Sequence, residues 1–281
     1  MERPLLAWWL LLCTVAVVNP VLWFLSARRL ERAEPPASRR WMLWLAAVYV
    51  VGCGFRSVFP MIDAARLCLH DNWISRIAVG RTIATIAELA FAMQWALLLG
   101  EADTRAARLA SRAIVPIIVV AELASWSAVL TTNYMLHAVE NSLWTLAAAL
   151  GLAAFLSLRL RAQGATARFL DVACAGGLVY IAFMVIVDVP MYLARWQAAG
   201  GFTVPLDEGV RAVLERCVVR REWSAWREDA TWLTLYFTVC VWVSVALPHA
   251  PRLGTSRQEA APPPRSAAPR APETSSPRAL P

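Results

Sequence analysis

Arg81, Thr85 and Glu88 stand at i, i+4 and i+7 in the stretch Ile77 to Leu99, IAVGRTIATIAELAFAMQWALLL. Seven residues make almost two turns at 3.6 per turn, so all three fall on one helical face. The stretch is long and apolar enough to cross a hydrocarbon layer of about 30 Å. A charge at the centre of such a helix costs about 2.5 to 3.5 kcal/mol, so this face must look into protein or water rather than lipid. A guanidinium there is an anchor for an anion. A carboxyl group at that depth could carry a proton, or simply pair with a guanidinium to fix helix register.

Other apolar stretches carry residues of the same kind. Arg56 lies seven residues after Tyr49, Glu122 sits in the middle of a fourth stretch, Glu140 and Asn141 open a fifth, and Asp188 and Tyr192 close a sixth. If the stretches pack side by side, these residues form one polar set, with Arg56, Arg81, Glu140, Asn141 and Asp188 in one half of the membrane and Glu88 and Glu122 near its centre. Two readings stand together. In one, Arg81 and Arg56 pair with Glu140 and Asp188 to fix helix register. In the other, the set is a polar intramembrane pocket, open to the outside, that binds or translocates a small ligand, an anion or a proton. The same acids also suit an intramembrane enzyme working by acid–base catalysis on a lipid or isoprenoid. A sensor or assembly factor without catalysis is the third class.

Several chemistries lack their residues. All 27 basic residues are Arg, so Schiff-base chemistry with retinal or pyridoxal has no lysine amine to use. His70, His137 and His249 are scattered without metal-ligand spacing, so no metal and no cofactor is expected. His70 and His137 are read as outer-loop residues and His249 as part of the tail. Neither a nucleophile elbow nor a Gly-rich phosphate loop is present. The net charge of +7 is carried by Arg in short loops and a tail, which points to membrane topology rather than to nucleic acid.

The elements that must position these residues follow from composition. With 59% hydrophobic and 17% charged residues and a mean hydropathy of +0.51, the chain is expected to be an all-α, polytopic transmembrane helical bundle. Seven spans are predicted, at Leu5–Leu25, Trp41–Phe59, Ile77–Leu99, Ala113–Thr131, Glu140–Leu158, Phe169–Leu193 and Ala230–Leu247. The first is too long for a signal-peptide core and lacks a cleavage site. Pro20 is expected to kink it, with Asn19 meeting freed carbonyl groups.

Loops after the first, third and fifth spans are Arg-rich (Arg28, Arg29, Arg32, Arg39 and Arg40; Arg105, Arg108 and Arg112; Arg159, Arg161 and Arg168), whereas those after the second and fourth are not. The bias places the N-terminus outside and the C-terminus in the cytoplasm, in a plasma or bacterial inner membrane. The bilayer and an unidentified small ligand are the expected partners. Within the outer loop Ala194 to Asp229, apolar residues at i, i+3, i+4, i+7 and i+8 from Val210 predict an amphipathic surface helix near 206–219. Cys68 and Cys217 both fall in outer loops and form a candidate disulfide. Residues 1–247 therefore make the membrane domain, and 248–281, rich in Pro, Ala and Arg, a disordered cytoplasmic tail.

Overall fold

The computed structural model describes residues 1–215 and 217–254. Seven helices among them are long and apolar enough to cross a membrane: α1 (Arg3–Glu31), α2 (Ala37–Val58), α3 (Ile77–Gly100), α4 (Arg105–Thr131), α5 (Tyr134–Arg159), a sixth span Gly164–Ala198 and a seventh Arg227–His249. The sixth span comprises α6 (Gly164–Phe183), a π-helical turn Met184–Asp188 and α7 (Val189–Ala198). A short helix α8 (Leu206–Glu215) precedes the seventh span, which is built from α9 (Arg227–Leu235), a π-helical turn Tyr236–Cys240 and α10 (Val241–Ala246).

Helices run past the apolar windows because a helix continues through polar end turns where its backbone bonds and caps are satisfied. Thr104 caps α4 by accepting from Ala107 N at 3.2 Å, and Asn133 caps α5 by accepting from Met135 N at 2.9 Å. Consecutive spans from α1 to α6 pack on their neighbours, and the seventh span packs against α1 and α2. Small residues allow the close approach of α4 and α5: Ala107, Ala110, Ala121, Ala128, Ala147 and Ala154 are all buried. Large apolar side chains such as Val51, Val179 and Ile186 face outward, as a lipid-facing surface requires.

At the end of the bundle where α2 leaves and α3 begins, three two-residue strands form a small sheet: β1 (Met61–Ile62), β2 (Leu67–Cys68) and β3 (Val218–Val219). The first pair is antiparallel and the second parallel. Cys68 and Cys217 are joined as a disulfide with Cα atoms 5.8 Å apart. The amphipathic helix is shorter than the 206–219 window. It ends at Glu215, and Val218–Val219 extend as a strand because they pair with Leu67–Cys68 beside the disulfide. Val213 enters a cluster with Met61, Ile77 and Val129, and Gly209 lies directly against the Leu130 carbonyl group.

Asn19 does meet a carbonyl group, but on another helix. Its Nδ2 donates to Phe237 O at 2.9 Å, inside the second π-helical turn, and its Oδ1 accepts from Trp242 Nε1 at 3.1 Å. Opening a π turn changes which carbonyls are satisfied within a helix, and a neighbouring amide is a natural partner for one. The other π turn sits just before Pro190, which has no N–H to offer the preceding turn.

The expected tail, 248–281, lies outside the described residues from 255 onward. Before that point the chain stays on the bundle: Pro248 and Leu253 are buried, and the buried Arg39 donates to the carbonyl groups of Leu247, Pro248 and Pro251. Arg39 Nη2 also meets Glu101 Oε2 at 2.6 Å, so this end of the bundle is closed by one guanidinium shared between chain segments.

Candidate functional site

Arg81, four residues into α3, is 4% exposed, and its guanidinium reaches four carboxylates. Nη2 lies 3.0 Å from Glu88 Oε2, 2.5 Å from Glu122 Oε2 and 3.5 Å from Glu140 Oε1, while Nη1 lies 3.6 Å from Asp63 Oδ2. Glu88 is on the same helix, two turns on; Glu122 comes from α4, Glu140 from α5, and Asp63 from the turn between β1 and β2. Asp63 also receives Arg56 Nη2 at 3.2 Å, and the same nitrogen donates to Met61 O at 3.2 Å. The set therefore runs from the small sheet to Glu88, eleven residues and about 16 Å along α3.

Hydroxyl and imidazole groups complete it. Thr85 Oγ1 donates to Glu122 Oε2 at 2.6 Å and accepts from Trp126 Nε1 at 3.1 Å. Tyr236, the first residue of the second π-helical turn, donates its hydroxyl to Glu88 Oε1 at 2.9 Å. His137 Nδ1 and Glu140 Oε2 are 2.8 Å apart, and the His137 ring packs on Tyr192 with centroids 5.1 Å apart. Asn141 Nδ2 donates to Asp188 Oδ2 in a short hydrogen bond. Each π turn thus carries a polar side chain, Tyr236 bonded to Glu88 within the set and Asp188 bonded to Asn141 beside it, in keeping with the enrichment of such turns at functional positions.

Each candidate residue thus has a place. Arg81, Glu88, Glu122 and Glu140 meet directly, and Arg56 joins them through Asp63. Asn141 and Asp188 form a separate pair, linked to the rest by sequence neighbour Glu140 and by Tyr192 against His137. Asp63, His137 and Tyr236 were not among the candidates. The apolar pattern assigns His137 to an outer loop, whereas it is a buried member of α5, which begins at Tyr134, before the apolar run. Its spacing of three from Glu140 was the available signal, since i, i+3 residues share a helical face. Asp63 gave a weaker one, seven residues beyond Arg56, and Tyr236 gave none within its apolar run.

Glu88, Glu122 and Glu140 each offer a carboxylate oxygen, all within 4.8 Å of one another, a spacing that could hold a cation. The guanidinium of Arg81 already lies within 3.5 Å of an oxygen of all three and serves as their cation. A divalent metal at the same centre would face that guanidinium across a buried site, so the donor set does not fit a metal unless Arg81 moves away.

Charge does not balance inside the set. Asp63, Glu88, Glu122 and Glu140 are four acids against the two guanidinium groups of Arg56 and Arg81, all nine-tenths or more buried, and even a protonated His137 beside Glu140 would leave one acid in excess. Unbalanced charge in such surroundings is expensive, and a proton on a carboxyl group removes it. Glu122 Oε1, His137 Nε2 and the nearby α4 residue Ser125 at Oγ are also buried without a protein hydrogen-bond partner among the described residues. The arrangement can accept protons, and it leaves polar atoms open to a further small group.

Comparison with known protein families, curated proteins and solved structures gives no match for this chain.

Proposed function

We propose that this chain is an integral membrane protein, N-terminus outside and C-terminus cytoplasmic, in a plasma or bacterial inner membrane, and that its buried carboxylate set takes up and releases a proton in binding or translocating a small solute. One observation carries the reading: a single guanidinium, Arg81, is shared among Glu88, Glu122, Glu140 and Asp63. Arg81 surrounded by acids is poorly placed as an anchor for a free anion, because an incoming anion would meet carboxylates on every side. Acids in excess of bases favour a proton as the exchanged species.

The order of groups supports a route. Asp63 is at the end that the Arg bias assigns to the outside, Arg81 and Glu122 follow, and Glu88 with Tyr236 lies deepest. Protonation of one carboxyl group would release its share of Arg81, and the guanidinium would then turn toward the others. That exchange gives a proton and a change of helix contacts the same origin.

The test is proton uptake into proteoliposomes reported by an enclosed pH dye under an imposed potential. The wild-type protein should carry protons, and Glu88→Gln and Glu122→Gln should each abolish the signal. Equal flux in wild type, both variants and empty vesicles would overturn the reading. Labelling of an introduced cysteine from outside intact cells tests the orientation: Gly201→Cys should react and Thr166→Cys should not.

A further inference from the structure

At the opposite end of the bundle from the acid set, the first turns of α4 carry Arg105, Arg108 and Arg112, all exposed. Together with Leu109 they line a surface cavity of about 310 Å³. Their direction is fixed by the rest of the helix. Ala107, Ala110 and Ile114 are buried against the bundle, so the three guanidinium groups project away from it. Three other arginines at this end have partners, Arg39 with Glu101, Arg159 with Asp171, and Arg28 over the ring of Phe24; what sets Arg105, Arg108 and Arg112 apart is that they line one cavity together. No hydrogen bond or ion pair from the side chains of Arg105, Arg108 or Arg112 occurs among the described residues.

The face continues in a different chemistry. Leu109 is 61% exposed between the arginines, and the same outward stripe runs on through Pro116, Val119, Val120 and Leu123, all exposed. Positions 109, 112, 116, 119, 120 and 123 follow the three- and four-residue spacing of one helical face. Three positive charges at the mouth of an apolar track match an amphiphile with an anionic head and a hydrocarbon tail. A soluble anion would have no use for the track.

We infer that Arg105, Arg108 and Arg112 form a binding site for the phosphate headgroup of an anionic phospholipid, with Leu109 and the Pro116 to Leu123 stripe receiving its acyl chain. The α4 N-terminus adds its partial positive charge to the three guanidinium groups. Arginine suits a phosphate because its planar fork donates two hydrogen bonds at once. The site is independent of the acid set and does not rest on proton transport.

The experiment is native mass spectrometry of the detergent-purified full chain with dioleoylphosphatidylglycerol or dioleoylphosphatidylcholine added in turn. The anionic lipid should be retained at least ~10-fold more than the zwitterionic one. Changing Arg105, Arg108 and Arg112 together to Gln should remove that preference. Changing Arg161 and Arg168 to Gln, also at this end of the bundle, should keep it, and thermal unfolding should show all variants folded. No preference in the wild type, or equal loss in the Arg161 and Arg168 control, would overturn the proposal. Displacement of the lipid by inorganic phosphate at comparable concentration would assign the arginines to a soluble anion and overturn it as well.

Discussion

Arg81 Nη2 and Glu122 Oε2 lie 2.5 Å apart across the α3–α4 interface, with both residues less than 5% exposed. Thr85 holds the same oxygen from one turn further along α3, so Glu122 is fixed by two residues of a single helical face. Removing the guanidinium would leave Glu122, Glu88 and Glu140 facing one another without a cation.

Arg81→Ala should therefore destabilise the protein strongly, on the order of 3 to 5 kcal/mol, as breaking one side of a buried pair does. Adding Glu122→Gln removes one of the uncompensated acids and should recover part of that loss. Thermal unfolding in detergent of the two single variants and the double variant forms the cycle. Strict additivity would mean that Arg81 and Glu122 act independently despite their contact.

Gly209 tests how α8 is held on the bundle. A Cβ at Gly209 would strike the Leu130 carbonyl group, which belongs to the α4 backbone and cannot step aside. At Gly80 the obstacle is the Met61 side chain, which has rotatable bonds to move with. Gly209→Ala should cost about 1 to 3 kcal/mol and loosen α8, while Gly80→Ala costs less. Thermal unfolding of the two variants side by side decides the order.

The disulfide between Cys68 and Cys217 ties β2 to the segment after α8. The long helices pack on one another through contacts that do not involve it, so the effect should fall on the loop itself. With the disulfide reduced, trypsin should cleave after Arg211, Arg220 and Arg221 several-fold faster. Peptide mapping with and without reductant measures both the bond and the cleavage; unchanged cleavage would show that the sheet and Val213 hold the loop unaided.

The helical stretches were legible in the sequence because their apolar content exceeds anything a soluble surface tolerates, and Arg81 with Glu88 stood out as charges inside one. The partners were less legible. Asp63 reads as an ordinary loop acid until the β1–β2 turn folds it back over Arg56 and Arg81. His137 looked like part of a turn because α5 begins at Tyr134, well before its apolar run. Gln94 and Ser244, which bond one another at 2.6 Å between α3 and the seventh span, are single polar residues in apolar runs and give no periodic signal. Periodicity reports which face of a helix is polar; it does not report which other helix that face meets.

His70, in the loop after β2, packs against Trp9 and Phe59 with ring centroids 5.1 and 5.8 Å away. Burial lowers its pKa below the usual histidine value, and the neighbouring Arg221 pushes in the same direction. A base whose folded pKa is depressed favours the fold in its neutral form. Its contribution is therefore fully present above the ordinary histidine pKa of about 6.5 and is lost as pH falls from there through the lowered value. Thermal unfolding at pH 7.5 and pH 5.5 should show a larger drop for wild type than for His70→Gln. Equal drops would place the acid sensitivity elsewhere.

Glu88 separates a working carboxyl group from a structural one. Its Oε1 accepts from Tyr236 and its Oε2 from Arg81, so a glutamine at this position can keep its oxygen for Arg81 while its amide N–H donates to the Tyr236 hydroxyl oxygen, which must turn to accept; the charge and the exchangeable proton are lost. The set holds more acids than bases, so neutralising Glu88 lowers the excess instead of creating a new one. Glu88→Gln should therefore leave thermal stability within about 1 kcal/mol of wild type while abolishing proton uptake. Tyr236→Phe removes the hydroxyl donor and leaves the carboxyl group in place; it should preserve the fold and slow uptake without abolishing it. Both variants are measured in the same proteoliposomes, with unfolding in detergent as the control. If Glu88→Gln unfolds as the wild type does and carries protons at the full rate, Glu88 is a packing residue. The proton route would then end at Glu122, and Glu122→Gln alone should stop it.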